Sequence, residues 1–404
     1  MQHLRNLSIQ ELETFITGFD ERPYRSRQTA SWLYRKLAMR FSEMTDLPAS
    51  FRETLEKHAF ITSLETRAVE LSKLDGTRKF LFRLADGELI ESVLMRHEDR
   101  ITLCISTQVG CPLDCVFCRT GQGGFRRNCT AGEILDQVCV LRSECAGDAE
   151  KVNIVFMGMG EPLLNYREVV KAIRVLLDPL GMNLASKRLT VSTSGIPDGI
   201  KALADDGIDC LLAISLNAPT DEKRRRLMPA LARYSIASIL EAARYFHGVT
   251  RRRITLEYVL LRGINTTDED ALALGRLTRR GPYKINLIPF NGGTGFETVD
   301  EQEIDRFIKA LLPFAPAVTV RRSRGSDIQA ACGQLWTENL AKRVSGKGPR
   351  DARGGRKARD AGAKRKVPAK APRDAKGARK ARDAGAKKKI PAKGPRDARG
   401  GKTV

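Results

Sequence analysis

The stretch CISTQVGCPLDCVFC, residues 104–118, gathers four of the chain's nine cysteines into fifteen positions. Cys111, Cys115 and Cys118 have the spacing C-x3-C-x2-C, which suits thiolate ligands to a metal or a cluster. A structural zinc site takes four ligands, and none of the four histidines, His3, His58, His97 and His247, falls in this loop, so Cys129 is the candidate fourth. Three thiolates on an iron–sulfur cube instead leave one iron open to a small molecule, which is what chemistry needs and electron storage does not. A disulfide framework is disfavoured by the odd cysteine count in a long chain without a signal-peptide pattern.

Other candidates follow the cluster. In GMGEP, residues 158–162, Gly158 and Gly160 permit close backbone approach to a ligand and Glu161 can accept from an ammonium; the plain alternative is a strand-to-helix turn. STSG begins at Ser192, SLNAP runs from Ser215 through Leu216 and Asn217, and LIPFN ends on Asn291. Taken alone, Cys332 in AACG reads as a small buried hydrophobe, Cys104 as an inward-facing strand residue and Glu91 as a solvated carboxylate.

These motifs need elements to position them. Strands are expected at 101–107, 151–157, 188–192, 209–215, 254–261, 283–289 and 317–322, with helices at about 130–145, 165–178, 197–205, 235–246, 268–280 and 300–313. Such alternation predicts a parallel α/β sheet, open or closed as a full or partial barrel, with chemistry at the carboxyl ends of the strands. Before it, residues 1–96 read as a small accessory domain. Ser8 and Glu11 form a capping box for a helix stopped at Gly18, further helices are expected over 25–40 and 48–60, and Asp75-Gly76 and Asp86-Gly87 mark hairpins.

The net charge of +22 is concentrated at one end: residues 341–404 hold 24 Lys or Arg against 5 Asp, while the other 340 residues carry 46 basic and 43 acidic groups. PRDARGG at 349, PRDAKGA at 372 and PRDARGG at 395 repeat with a period of 23. A segment this poor in large apolar residues is expected to be a disordered basic tail, over 344–404, that either meets polyanions or only solubilises the chain. No run of eighteen apolar residues suggests a membrane span, and a cytoplasmic location is expected.

C-x3-C-x2-C after the first barrel strand, with Phe117 before the last cysteine, resembles the radical SAM enzymes. In these the fourth iron of a 4Fe-4S cluster is chelated by S-adenosylmethionine, and reduction yields a 5′-deoxyadenosyl radical. A closer resemblance, over roughly residues 5–343, is to the RNA adenosine C2 methyltransferases of the dual-specificity RlmN type and the related Cfr type. It rests on ESVLM, TLCISTQVGCPLDCVFC, TGQGGFRRNCTAGEI, VFMGMGEPLLN, TVSTSG, AISLNAP, INLIPFN and RRSRGSDIQAACGQL. It implies a partial (β/α)6 barrel over residues 97–343, cluster ligation by Cys111, Cys115 and Cys118, and cofactor contacts from Gly160, Glu161, Ser192, Ser215, Leu216, Asn217 and Asn291.

The resemblance further implies that a first S-adenosylmethionine methylates Cys332 and that a radical from a second removes a hydrogen from that methyl group. The methylene then adds to adenine, Glu91 takes the ring proton, and Cys104 forms a disulfide with Cys332 to release the RNA. Two S-adenosylmethionines are consumed per methylation. Implied partners are 23S rRNA at the peptidyl-transferase centre, tRNA beside the anticodon, a flavodoxin or ferredoxin-like electron donor and a thiol reductant, around a monomer. Basic groups at 224–226, 251–253, Arg126, Arg127, Arg321, Arg322 and Arg324 suit phosphate contacts. Three positions depart from the pattern: Asn217 where histidine is common, Cys129 where leucine is usual, and the glycine-rich loop after Asn291. The other readings are adenine C8 methylation, a noncatalytic RNA-binding protein and a zinc scaffold.

Overall fold

The structure is a computed structural model that describes residues 1–145, 152–315 and 317–336. The basic tail, residues 337–343 and Lys151 lie outside the described residues. Five helix N-termini carry the local signals that start them. Ser8 and Glu11 form the capping box of α1 (Ile9–Thr17), and Gly18 closes it in the right-handed conformation. Thr130, Thr267 and Asp300 do the same for α5 (Ala131–Ser143), α10 (Asp268–Thr278) and α11 (Glu301–Leu311), and Ser235 caps α9 (Ile236–Thr250).

α2 (Tyr24–Tyr34) is shorter than the expected 25–40. The chain turns back with Leu37 at φ 59°, and the Ala38 amide donates to Trp32 O at 2.8 Å. Turning brings Leu37 and Met39 against the core, which a continued helix would swing away. α3 (Ala49–His58) completes the helical module, and β1 (Gln2–His3) pairs parallel with β2 (Ala59–Phe60).

The principal sheet has ten strands in the order β14-β13-β12-β11-β10-β9-β6-β5-β4-β3. β6 (Ile101–Cys104), β9 (Val152–Phe156), β10 (Leu189–Thr193), β11 (Leu211–Ser215), β12 (Ile254–Leu260), β13 (Tyr283–Pro289) and β14 (Val318–Val320) run parallel. Between successive strands stand α5, α6 (Tyr166–Leu177), α7 (Pro197–Asp205), α9, α10 and α11, which makes six βα units and a partial barrel. α11 buries one stripe, Ile304, Phe307 and Leu311, and α6 another with Val169, Val170, Ile173 and Leu176. Each such side chain contributes about 1.5–3 kcal/mol on leaving water.

β3 (Glu65–Leu71), β4 (Arg78–Arg83) and β5 (Leu89–Arg96) are antiparallel and continue the same sheet, because β5 pairs with β6 from Val93↔Cys104 to Arg96↔Ile101. The expected division between residues 96 and 97 thus falls in a turn joining hydrogen-bonded neighbours. Separating the strands there would bare a row of backbone donors and acceptors. The described residues belong to one unit, Met1–Pro349.

The helical module is pinned to α5 by a buried ion pair. Arg5 Nη1 donates to Asp136 Oδ1 at 3.0 Å, with both side chains fully buried. Arg5 also donates to Ala38 O at 2.8 Å, and Asp136 Oδ2 accepts from the Ser63 amide at 2.8 Å and faces His3 Nε2 at 3.3 Å. Burial opposes the Asp136 charge, but His3, Arg5 and the Ser63 amide outweigh it and hold the carboxyl below its ordinary range. Arg5→Met is therefore expected to lower stability by about 3–5 kcal/mol in urea unfolding, since it strands a buried carboxylate. A depressed carboxyl contributes stability above its unfolded pKa of about 3.9 and loses it as pH falls through the folded value. Asp136→Asn should flatten that acid limb of the stability curve.

Candidate active site

Between Cys104 and α5 the chain departs from the expected single strand. β6 ends at Cys104, and β7 (Gln108–Gly110) pairs antiparallel with β8 (Phe125–Asn128), so a small hairpin brackets the cysteine loop and the short α4 (Arg119–Gln122). Gly110 lies at φ 75°, where a Cβ would stand 1.8 Å from Gly124 O, and the Cys111 amide donates to that same oxygen at 2.9 Å. The loop closes on itself through Cys118 N to Cys115 O at 3.0 Å.

Cys111, Cys115 and Cys118 line one end of a cavity with about 1040 Å³ of empty space, its open mouth included. Cys129 is fully buried elsewhere and does not line it. Among the described residues no three Cys, His, Asp or Glu side chains are grouped to hold a single metal ion. Burial pushes the Cys111 thiol up to about 12 and raises Cys115 and Cys118 as well. Thiols so placed stay protonated unless a cationic group sits among them, and a donor set of three sulfurs facing a roomy cavity fits an iron–sulfur cube with one open iron.

The same cavity is lined by the strand-end motifs. Gly160 lies at φ 100° against Gln108, whose Oε1 accepts from the Glu161 amide at 2.8 Å. The Glu161 carboxylate lines the cavity and accepts from the Leu163 amide at 3.1 Å and the Ser194 amide at 2.6 Å. Its carboxyl is nonetheless raised, because burial exceeds what those amides return. Ser192, Ser215, Asn217 and Asn291 also line the cavity. Leu216 does not: its side chain is fully buried and its amide donates to Glu257 O at 2.9 Å, which sets the bend carrying its two neighbours. Asn217 sits at φ 59°, a conformation that asparagine tolerates, and its Oδ1 accepts from the Val259 amide.

Cys332 lies on the wall of this cavity and also of a smaller one that holds Cys104, Met157 and Arg321. Its segment is tied down at three points. Asn291 Nδ2 donates to Cys332 O at 3.2 Å, Gln334 Nε2 donates to Asn291 O at 2.7 Å, and the Arg119 amide donates to Gly333 O at 2.8 Å. Burial, with the charge of Cys332 adding to it, pushes the Cys104 thiol up to about 12, and Arg321 opposes that rise. Glu91 is not the solvated carboxylate its strand position suggested. It is fully buried beneath the Cys332 segment, Oε2 accepting from the Trp336 amide at 2.9 Å, and burial raises its carboxyl.

Some arginines read as phosphate contacts already have partners within the protein. Arg224 is buried against Ser194 O and Met228; Arg127 bonds Asp86 and Glu133; Arg322 bonds Glu301. Arg321 stands 3.6 Å from Glu257, whose other oxygen accepts from Ser192 Oγ at 3.2 Å. Glu257 itself was missed, although a lone carboxylate inside ITLEYVLL is the mark of a buried charge with a task.

Two family models match the chain: the radical SAM superfamily over residues 105–275 and the ribosomal RNA large subunit methyltransferase N-terminal domain over residues 2–61. The dual-specificity RNA methyltransferase RlmN of Geotalea uraniireducens is 48% identical over 335 residues, 82% of this chain and 96% of that one. A probable RlmN of Thermotoga maritima is 44% identical over 345 residues, 85% of this chain and 100% of its own. The crystal structure of a radical SAM methyltransferase from Sphaerobacter thermophilus superimposes with a TM-score of 0.81 at 41% identity, covering 83% of this chain and all of that one. No helix among the described residues is long and apolar enough to cross a membrane.

Gly160→Ala tests the strand-end part of the lining. The new Cβ would stand 2.5 Å from Gln108 Cβ at a positive φ. Strain of about 1–3 kcal/mol, with displacement of Glu161, should weaken S-adenosylmethionine binding in equilibrium dialysis while the iron content of the reconstituted protein stays near that of the unaltered one.

Proposed function

The chain belongs to the RlmN family of radical SAM RNA methyltransferases, and from that membership we propose that it converts adenosine to 2-methyladenosine in 23S rRNA, at the peptidyl-transferase centre, and in tRNA beside the anticodon. The observation that carries the reading is the position of Cys332, on the shared wall of the thiol-lined cavity and of the small cavity holding Cys104. A sulfur so placed can take a methyl group on one side and meet a second thiol on the other.

In this reading Cys111, Cys115 and Cys118 hold a 4Fe-4S cluster, and Gly160, Glu161, Ser192, Ser215, Asn217 and Asn291 surround S-adenosylmethionine, with Leu216 shaping their strand end. When bound, cluster and cofactor supply the methyl group and a radical able to remove hydrogen from an S-methyl group. Glu161, raised by burial, is returned to its anionic form by the cofactor's ammonium. Cys332 sulfur would take the methyl group of a first cofactor molecule, the sulfonium leaving as a neutral thioether, and after loss of one hydrogen atom to the radical from a second its methylene carbon would bond to adenine C2. Once the adduct has passed one electron to an oxidised flavodoxin or ferredoxin-type carrier, Glu91 would take the ring proton. Cys104 then attacks the Cys332 sulfur; the new S–S bond replaces the S–C bond, and the methylated base leaves. Two cofactor molecules are used per methylation. A flavodoxin or ferredoxin-type donor restores the cluster and a thiol reductant opens the disulfide, as suits a monomer working in the cytoplasm.

Arg225 and Arg126 remain exposed for phosphate contact. The product identifies the reaction. Anaerobically reconstituted protein, given S-adenosylmethionine, a low-potential reductant and unmodified 23S rRNA fragments or tRNA, should yield 2-methyladenosine by mass spectrometry of nucleosides. 8-Methyladenosine would assign the C8 reaction instead, and absence of both from cluster-loaded protein with methylated Cys332 would remove the reading. Cys104→Ala should leave RNA attached to Cys332, seen as a nuclease-sensitive shift on a denaturing gel.

A further inference from the structure

Three charged side chains share one face of the antiparallel strands, Glu91 and Lys79 buried and Glu70 half-buried, where apolar residues would serve the fold as well. The register sets Glu70 of β3 against Lys79 of β4, and Lys79 against Val93 of β5. Glu91 lies two residues before Val93 and so projects from the same face. Lys79 Nζ stands 3.1 Å from Glu70 Oε2 and 3.5 Å from Glu91 Oε1. Side-chain exposure rises along the line, from 0% at Glu91 through 4% at Lys79 to 20% at Glu70. Val93 pairs in turn with Cys104, so the inner end of the line adjoins the cysteine pair. A buried charged trio adds little over an apolar trio of the same volume, so stability alone does not call for it.

We propose that Lys79 is a positioning residue for deprotonation of the RNA adduct: it keeps Glu91 ionised until the ring proton arrives and then passes that proton to Glu70 and water. This rests on the reading of Glu91 as the base. The C–H electron pair stays in the ring as the proton joins Glu91. Glu91 returns to a carboxylate when its proton moves to Lys79 Nζ while an N–H proton of Lys79 moves to Glu70 Oε2, and no electron changes hands.

The surroundings leave Glu91 few other means of staying charged. The charged groups facing it are Lys79 and Glu70, from β4 and β3; the Cys332 segment offers the Trp336 amide, and Met159 and Ser106 touch only its backbone. Burial is the largest influence on Glu91 and favours the neutral acid, and Lys79 is the leading influence against it. Removing Lys79 therefore moves ionisation of Glu91 to higher pH.

The test uses cluster-loaded full-length enzyme in single turnovers on RNA across neutral and alkaline pH. Lys79→Met is expected to methylate Cys332 and form 5′-deoxyadenosine normally, but to hold RNA on Cys332. Product release should fall about a hundredfold at neutral pH, the low end of a general-base contribution, and recover as pH rises. Lys79→Arg should restore the pH profile but not the rate of release, since a guanidinium keeps Glu91 ionised without passing its proton on, and Glu70→Gln should slow release without moving the pH profile. In cluster-free protein, the infrared carboxyl band that Glu91→Gln abolishes should titrate at higher pH in Lys79→Met. An unshifted profile and band in Lys79→Met, or Glu70→Gln releasing product at the unaltered rate, would overturn the relay. If Glu91→Gln blocks release while Lys79→Met behaves normally, the relay alone falls; if Glu91→Gln turns over normally, the base assignment falls with it.

Discussion

The pairing of β5 with β6 is the constraint on which the site depends. Val93 opposite Cys104 sets the two strands in register, and because side chains alternate along a strand, a slip of one residue would put Glu91 and Cys104 on opposite faces of the sheet. Two hairpin strands and a barrel strand, far apart in character, thereby share one surface. The parallel strands alone could present strand-end ligands around a cavity. They could not bring a buried carboxylate beneath the segment that carries Cys332.

Around that surface the protein spends its charges in pairs. Arg321 faces Glu257 beside the two thiols, and Lys79 stands between two carboxylates. Unpaired, each would resist burial by several kcal/mol. Paired, they fill a low-dielectric site with fixed charges whose effect on a neighbouring thiol or carboxyl exceeds that of the same groups in water. Burial pushes the cysteines toward the neutral thiol and the nearby guanidinium groups pull the other way; Cys104 feels both.

Much of this could be read in the chain beforehand. The parallel strands and their helices fell within a few residues of expectation because period and caps are local signals: Thr130 with Glu133 and Thr267 with Asp270 announce helix starts by sequence alone. The β7–β8 hairpin escaped because Gln108–Gly110 is too short and too polar to show alternation. Long-range pairing escaped for a different reason. That Arg127 is bound by Asp86, or that Glu91 lies under Trp336, depends on partners 41 and 245 positions away, which no local pattern encodes. Charged residues inside otherwise apolar strands, Lys79, Glu91 and Glu257, were the available sign, since a charge placed there must be met by another.

The Arg5–Asp136 pair has a geometric consequence as well as an energetic one. It joins the first helical residues to α5, the helix that follows the cysteine loop and its hairpin, through several buried or part-buried hydrogen bonds. An RNA touching both the helical module and the cavity would therefore meet two fixtures at a set spacing, and its own fold would have to match.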